Sequence, residues 1–312
     1  MQYSNIQGYR ISKLTLGTVA LGLDYGVSNK EGKPARETSF KILSAAMDAG
    51  INTLDTARSY GDAEQLIGSF LMQNQSPVNV VTKFKIRPDS LADKRKLRDE
   101  AYQSVRASLD QLHLDQVPVC LFHADRHLPL HQVIAVLPGI FEDLQKDGLI
   151  DIGGISIDHP GEVDLILQHP VIEAVQIPLN IFDLRLVKNG MIDRLRNLGK
   201  MIFVRSVFLQ GLFFMPPADL KGNLVKAKKY IERLHQLARQ ADMAVDQLAF
   251  SFVRDIEGIT SMVFGAVNEA QVNQNVQLLQ GKALSSELSA QIYSSFTDIP
   301  EDIITPGLWS YK

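Results

Sequence analysis

The sequence predicts an α/β fold: a parallel (β/α)8 barrel of the TIM type, with an N-terminal hairpin and extra C-terminal helices. Three observations carry this. Short β-branched runs alternate eight times with segments whose apolar residues recur three and four apart. The β-branched runs lack clean polar alternation, as expected of a parallel sheet covered on both faces. Ionisable residues gather at the C-terminal ends of three of these runs, the end at which barrels of this kind carry their sites.

The elements follow in order. Ile6 to Leu14 reads as a hairpin turning at Gly8. Lys13 to Thr18 is the first barrel strand, followed by a long Gly- and Lys-rich loop from Gly22 to Lys33. A helix starts near Arg36, with Phe40, Leu43 and Met47 on one face and Gly50 as its stop. Strand two is Ile51 to Asp55, and Ala63, Leu66, Ile67 and Phe70 mark the helix after it. Strand three is Val78 to Lys83, and its long helix carries Leu97, Ala101, Val105, Leu109 and Leu112. Val117 to Phe122 is strand four; Val133, Leu137, Phe141 and Leu144 share the next helix, ended by Asp147-Gly148. Leu149 to Ile155 is strand five, with a short helix around Val163, Ile166 and Leu167. Glu173 to Ile177 is strand six, and Met191, Leu195 and Leu198 form a helix stopped by Gly199. Met201 to Val204 is strand seven, followed by an extra helix over Lys226 to Arg239 and another through Val245, Leu248, Ala249 and Phe252. Gly258 to Phe264 is strand eight, with Val272, Val276 and Leu279 on its helix. A last helix near Leu284 to Phe296 and a tail with Trp309 close the chain.

The bulk properties fit one domain over residues 1–312. The hydrophobic fraction is 45%, enough for a sizeable core, and no composition shift marks a boundary. A net charge of −3, with both signs dispersed, gives no reason to expect nucleic acid or a membrane surface as partner. The single cysteine, Cys120, excludes an intrachain disulfide and fits a reducing compartment. The N-terminus is polar, and no run nears the roughly 18 apolar residues of a membrane span. A cytoplasmic protein is expected. No metal-ligand spacing stands out, so no metal site is expected.

The chemistry lies at the strand ends. Asp55 closes strand two, with Tyr60 in the loop after it; Lys83 closes strand three, and His123 follows strand four. An ammonium beside a phenol favours the phenolate, a carboxylate keeps the ammonium charged and oriented, and an imidazole hydrogen-bonds an oxygen or shares in proton transfer. Such a group can protonate an oxygen that gains charge, as carbonyl reduction requires when a cofactor delivers hydride. Singly, each residue has a plainer reading: Asp55 as a helix N-cap, Tyr60 as a half-buried aromatic, Lys83 as a solvated strand end, His123 as a loop residue. A strand-end lysine also suits a Schiff-base aldolase.

The segment Leu54-Asp55-Thr56-Ala57-Arg58-Ser59-Tyr60-Gly61, with Glu64, Leu66, Ile67 and Gly68, resembles the aldo-keto reductase family in its bacterial-type members. The resemblance continues through Thr82-Lys83, Leu121-Phe122-His123, Gly154-Ile155-Ser156, Gln176 with Asn180, Ser206 with Gln210-Gly211-Leu212, and Gly265 with Asn275. It implies a barrel enzyme that reduces an aldehyde or ketone with NADPH. Tyr60 would be the general acid, Lys83 and Asp55 would tune it, and His123 would orient the carbonyl. A slow cofactor-binding regulatory or interaction subunit is the alternative within the same fold. The implied cofactor residues are Gly17, Thr18, Ser156, Gln176, Arg205, Ser206, Leu209, Gly211, Gly265, Gln271, Gln274 and Asn275, with the backbone of the Ser206 to Leu212 loop holding the pyrophosphate.

Four positions depart from the family pattern. Ile157 stands where the family has the carboxamide-binding Asn, a contact that is either lost or supplied elsewhere, with Asn180 as candidate. Arg205 replaces the aromatic that stacks on the nicotinamide. Gln271 replaces the basic residue at the adenosine phosphate, and Gln274 its acidic partner; an exposed polar helix face explains both equally well. A neutral amide at Gln271 implies a weaker NADPH preference than an Arg would give. Substrate contacts are expected from the loops at Leu21 to Tyr25 and Ala124 to Pro129 and from the tail, with Tyr25 and Trp309 as candidates and Tyr311 beyond them.

Overall fold

Side-chain parity along the strands builds the interior. In the computed structural model, which describes all residues of the chain except 28, 30, 75–76, 125–127 and 311–312, Val81, Val119, Leu121, Ile152, Ala174, Met201 and Phe203 form one apolar cluster. Their sequence neighbours Val80, Cys120, Phe122, Val175, Ile202 and Val204 belong to a second, larger cluster with the helices. Alternate residues of each strand thus face the barrel axis or the surrounding helices, the period-two consequence of a pleated strand. The parity continues to the C-terminal ends, so Lys83 shares the inward side of Val81, His123 that of Leu121, Gln176 that of Ala174 and Arg205 that of Phe203.

The strands are β1 (Tyr3–Ile6), β2 (Tyr9–Ser12), β3 (Leu14–Gly17), β4 (Thr53–Asp55), β5 (Asn79–Phe84), β6 (Val117–His123), β7 (Ile150–Ser156), β8 (Ala174–Pro178), β9 (Met201–Arg205) and β10 (Ser261–Gly265). From β3 onward each pairs in parallel with its successor, and β10 returns to β3, closing an eight-stranded barrel. The register links the ends: Gly17 pairs with Asp55, Lys83 with Leu121, His123 with Ser156, Ser156 with Gln176, Pro178 with Arg205 and Gly265 with Gly17. The polar strand ends therefore lie on one ring at the barrel mouth.

The opposite end is closed by the antiparallel pair β1–β2, which places Ile11 in the axial cluster with Ile6 and Tyr9 packed against it. The Tyr9 hydroxyl donates to Asp151 Oδ2 at 2.5 Å. The hairpin begins at Tyr3, earlier than expected, and turns on Gln7 and Gly8, both at positive φ (51° and 80°), the pattern of a type I′ turn.

Most helices lie where the periodicity puts them, among them Ala63–Leu71, Lys94–Leu112, Lys228–Gln240, Val245–Arg254, Glu269–Leu278 and Ser286–Ser295. Three details differ. The helix Arg36–Asp48 buries Ser39, Ile42, Leu43 and Ala46, and leaves Phe40 and Met47 half-buried. The fourth expected helix is two, Leu130–Ile134 and Leu137–Lys146; Pro138, in the first turn of the second, has no N–H with which to continue the first. Leu198 lies past the end of the helix Met191–Asn197 and is exposed.

Candidate active site

Asp55 and Lys83 meet at the mouth with almost no contact with solvent. Lys83 Nζ donates to Asp55 Oδ1 at 2.7 Å and to the Thr56 carbonyl at 2.8 Å. Burial acts to lower the Lys83 pKa, but the Asp55 carboxylate and the Tyr60 oxygen beside it, both hydrogen-bonded to the ammonium, raise it above the ordinary lysine value. Lys83 is therefore held as an ammonium. Its Nζ lies 5.0 Å from the Tyr60 ring centroid, and the His123 ring stands edge-on to Tyr60, 6.2 Å between centroids at 89°. A chain of donors continues around the ring: Ser156 Oγ donates to Gln176 Oε1 at 3.1 Å, and Gln176 Nε2 donates to Asp55 Oδ1 at 2.6 Å.

The loop carrying Tyr60 is fastened at several points. The Thr56 and Arg58 amides donate to the carbonyls of Val81 and Lys83, which extends the β4–β5 ladder into the loop. Arg58 bonds Glu64 Oε2 at 2.7 Å and Gln111 Oε1 at 2.8 Å, while Thr82 Oγ1 donates to Glu64 Oε1 at 2.6 Å. Glu64 is buried, and this ion pair and its hydroxyl donor satisfy it. Gly22 backs directly onto Tyr60: a Cβ there would lie 1.8 Å from the Tyr60 carbonyl oxygen.

A cavity of about 760 Å³ opens beside Asp55 and Tyr60. It runs past Gly17 and the segment 205–211 to the helices Val245–Arg254 and Glu269–Leu278, where Asp246, Gln271, Gln274 and Asn275 line it. Its size is ordinary for a cleft that takes a cofactor or drug-sized ligand. Beside it, Ser206, Leu209, Gln210 and Gly211 all have positive φ (64°, 47°, 54° and 89°). Three non-glycine residues in the left-handed region within one short loop store backbone strain, a mark of binding loops. Across the groove, Glu31 of the loop after β3 lines the cavity and accepts from Asn268 Nδ2 at 3.2 Å.

The aldo/keto reductase family model matches residues 13–295. The chain belongs to the aldo/keto reductase family. Among its relatives, the NADH-specific methylglyoxal reductase of Escherichia coli (strain K12) is 26% identical over 298 residues, covering 86% of this chain and 90% of that one. The L-glyceraldehyde 3-phosphate reductase of Escherichia coli O157:H7 is 25% identical, with 95% and 92% covered. The aldo-keto reductase AKR11C1 from Bacillus halodurans (holo form) superimposes with a TM-score of 0.76 at 21% identity, over 97% of this chain and 99% of that one, which shows the shared barrel. This reductase is thus an oxidoreductase of a family that works with nicotinamide cofactors. No helix among its described residues is long and apolar enough to cross a membrane, and no group of metal-ligating side chains is present among them.

The residues singled out in the reductase sequence fall into three sets. Asp55, Tyr60, Lys83 and His123 come together, with Gln176 and Ser156 behind them. Gly17, Arg205, Ser206, Gly211, Gly265, Gln271, Gln274, Asn275 and Tyr25 line the cavity. Thr18, Leu209 and Trp309 do not. Thr18 is buried, and both its amide and its hydroxyl donate to the Asp55 carbonyl. The Leu209 side chain is buried in the core beneath the strained loop. Trp309 Nε1 donates to the Ile303 carbonyl at 2.9 Å and its ring packs against the core, the structural role of a tail aromatic. Tyr311 and part of the Ala124 to Pro129 loop lie outside the described residues.

The family departures also find their places. Arg205 does not lie open as a stacking plane: its Nη2 donates to the Ile157 carbonyl at 2.9 Å and pairs with Asp158, and its Nη1 reaches Ser206 Oγ at 3.3 Å. Asn180 is buried and uses its Oδ1 on the Phe182 and Asp183 amides. Sequence reasoning missed Asp246 in the cavity and Arg58 as the anchor of the Tyr60 loop. Asp246 carries a signal only when Gln274, 28 positions later, is known to bond it.

Proposed function

We propose that this protein reduces an aldehyde or ketone to an alcohol, with Tyr60 as the proton donor to the carbonyl oxygen. The observation that carries the reading is the buried Asp55–Lys83 pair beside Tyr60 at the head of the cavity. When bound, a reduced nicotinamide supplies the hydride that reaches the carbonyl carbon. Tyr60 passes its hydroxyl proton to the oxygen, and the Lys83 ammonium stabilises the phenolate left behind. Asp55 fixes Lys83 in place, and His123, whose ring stands at right angles to that of Tyr60, would hold the carbonyl oxygen. Solvent then returns the proton to Tyr60.

The cavity suits a dinucleotide. It reaches from the Asp55–Tyr60 corner to two helices, and Asn275 Oδ1, buried there with no partner among the described residues, is an acceptor suited to the exocyclic amine of adenine. The resemblance implies NADPH, while one relative is NADH-specific. The single cysteine, buried and pushed well above its ordinary pKa by its burial, fits the cytoplasmic setting expected from the sequence. The aldolase reading loses support because a Schiff-base lysine needs a lowered pKa and an open amine, and Lys83 has neither.

The test is Tyr60→Phe, assayed as dihydronicotinamide oxidation with a generic aldehyde. Turnover should fall by roughly 10²-fold or more, the scale of losing a general acid, while cofactor binding persists. Full activity in Tyr60→Phe would remove Tyr60 from the mechanism. The absence of turnover in wild type with every simple carbonyl, despite cofactor binding, would favour a regulatory subunit.

A further inference from the structure

We propose that Asp246 makes this protein select NADH over NADPH, by accepting a hydroxyl of the adenosine ribose and repelling a 2′-phosphate. The proposal rests on the dinucleotide reading of the cavity. Reduction places the nicotinamide at Tyr60, so the adenosine half extends toward the other end, between the helices Val245–Arg254 and Glu269–Leu278. That end is acidic. Among the described lining residues the charged groups are Asp55, Arg205, Glu31 and Asp246. Asp55 belongs to the reacting corner. Arg205 sits on the β9 rim, paired with Asp158. Glu31 and Asp246 are carboxylates, and no described lysine or arginine faces them in the lining.

Asp246 is held in a set orientation. Its Oδ1 accepts from the Gln247 amide at 2.8 Å and its Oδ2 from Gln274 Nε2 at 2.8 Å. Each carboxylate oxygen keeps a further lone pair for a ribose hydroxyl. Gln271 Oε1 accepts from the Val267 amide at 2.9 Å, which leaves its Nε2 as a neutral donor. A 2′-phosphate carries about −1.5 to −2 charge near neutral pH. The same chemistry operates in doubly wound dinucleotide-binding folds, where an acid takes the 2′-hydroxyl and an arginine the 2′-phosphate, and this end has an acid. The family resemblance pointed to NADPH; the charge at this end of the groove points the other way.

The test is a set of fluorescence titrations of the full-length protein with NADH and with NADPH, which need no carbonyl substrate. Wild type should bind NADH at least tenfold more tightly. Asp246→Asn keeps the shape and removes the charge, and should narrow that ratio at least fivefold, mainly by tightening NADPH. Asp246→Asn combined with Gln271→Arg should invert it. The wild-type ratio should also narrow between about 0.01 M and about 0.15 M ionic strength, because salt screens the repulsion. NADPH binding as tight as NADH in wild type, or an unchanged ratio in a folded Asp246→Asn variant, overturns the proposal. Binding of neither dinucleotide overturns the groove reading beneath it, a distinct result.

Discussion

Gln176 Nε2 donates to Asp55 Oδ1 at 2.6 Å, joining residues 121 positions apart across the barrel mouth. The same oxygen takes the Lys83 ammonium at 2.7 Å. Asp55 is thus oriented from two sides, and with it the lysine beside the candidate acid. Gln176→Leu keeps the bulk and removes one donor. Hydrogen bonds to charged groups are worth about 1.5–3 kcal/mol. The expected outcome is a fall in kcat of roughly tenfold or more in a protein that still melts cooperatively, measured by steady-state assay and calorimetry. An unchanged kcat would show that Lys83 alone orients Asp55.

The Lys83 pair should also shape stability at alkaline pH. The folded-state pKa of Lys83 is raised. A raised pKa contributes stability that is fully present below the unfolded value of about 10.4 and is lost as pH rises through the higher folded value. A pH series of melting temperatures extended above about pH 10 should therefore show a decline that a Lys83→Met, Asp55→Leu double variant lacks. Lys83→Met alone leaves Asp55 buried without its cation and should cost about 3–5 kcal/mol at neutral pH. A single variant as stable as wild type would contradict the buried-pair account.

Arg58 is predicted to matter through Tyr60. Arg58→Ala strips the buried Glu64 of its cation and frees one side of the loop. Removing one partner of a buried pair costs about 3–5 kcal/mol; with Arg58 partly exposed, the lower end applies. Melting should fall by several degrees and kcat should fall with it, while Arg58→Lys restores part of both. Loss of stability with an intact kcat would mean that the loop holds Tyr60 without this anchor.

Gly22 offers a steric test with a built-in control. A Cβ at Gly22 meets the Tyr60 backbone oxygen at 1.8 Å, and a backbone atom cannot give way as a flexible side chain can. Gly22→Ala should displace Tyr60 and lower kcat/KM by about 10²-fold, since small misplacements of catalytic groups carry costs of that order. Gly139, within the helix Leu137–Lys146, has nothing within 4 Å of its added Cβ, so Gly139→Ala should leave activity intact and raise stability by about 0.5–1 kcal/mol. Equal activity of the two variants would show that the loop relocates freely.

The barrel was legible because its strands are β-branched runs of constant parity, and because an inward position at a strand end is the next in a series that begins in the core. Asp55, Lys83 and His123 follow from that rule, while Gln176 was legible only through the family resemblance. Contacts between elements far apart in sequence were not legible. The Arg58–Glu64–Gln111 link depends on how two helices pack, and Asp246 meets Gln274 only because their helices are neighbours. The positions of Gln271 and Gln274 in the sequence carry no sign of the Asp246 carboxylate that stands beside them in the groove. Trp309 illustrates a third limit: an aromatic in a tail has the same signal whether it lines a pocket or seals the core. The helix Arg36–Asp48 shows a fourth. It is apolar around much of its circumference, so spacing by itself did not fix which stripe turns inward.

The hairpin that plugs the barrel has a practical meaning. With Ile11, Ile6 and Tyr9 filling the end opposite Tyr60, the described residues close that end of the barrel, and the cavity beside Tyr60 opens at the other. The N-terminus leaves from the sealed end, beside Gly50. An affinity tag, a fusion partner or an immobilising bead attached at Met1 therefore points away from the working face. A protein tethered in that way presents its open mouth to the medium, an orientation suited to an electrode or a flow reactor.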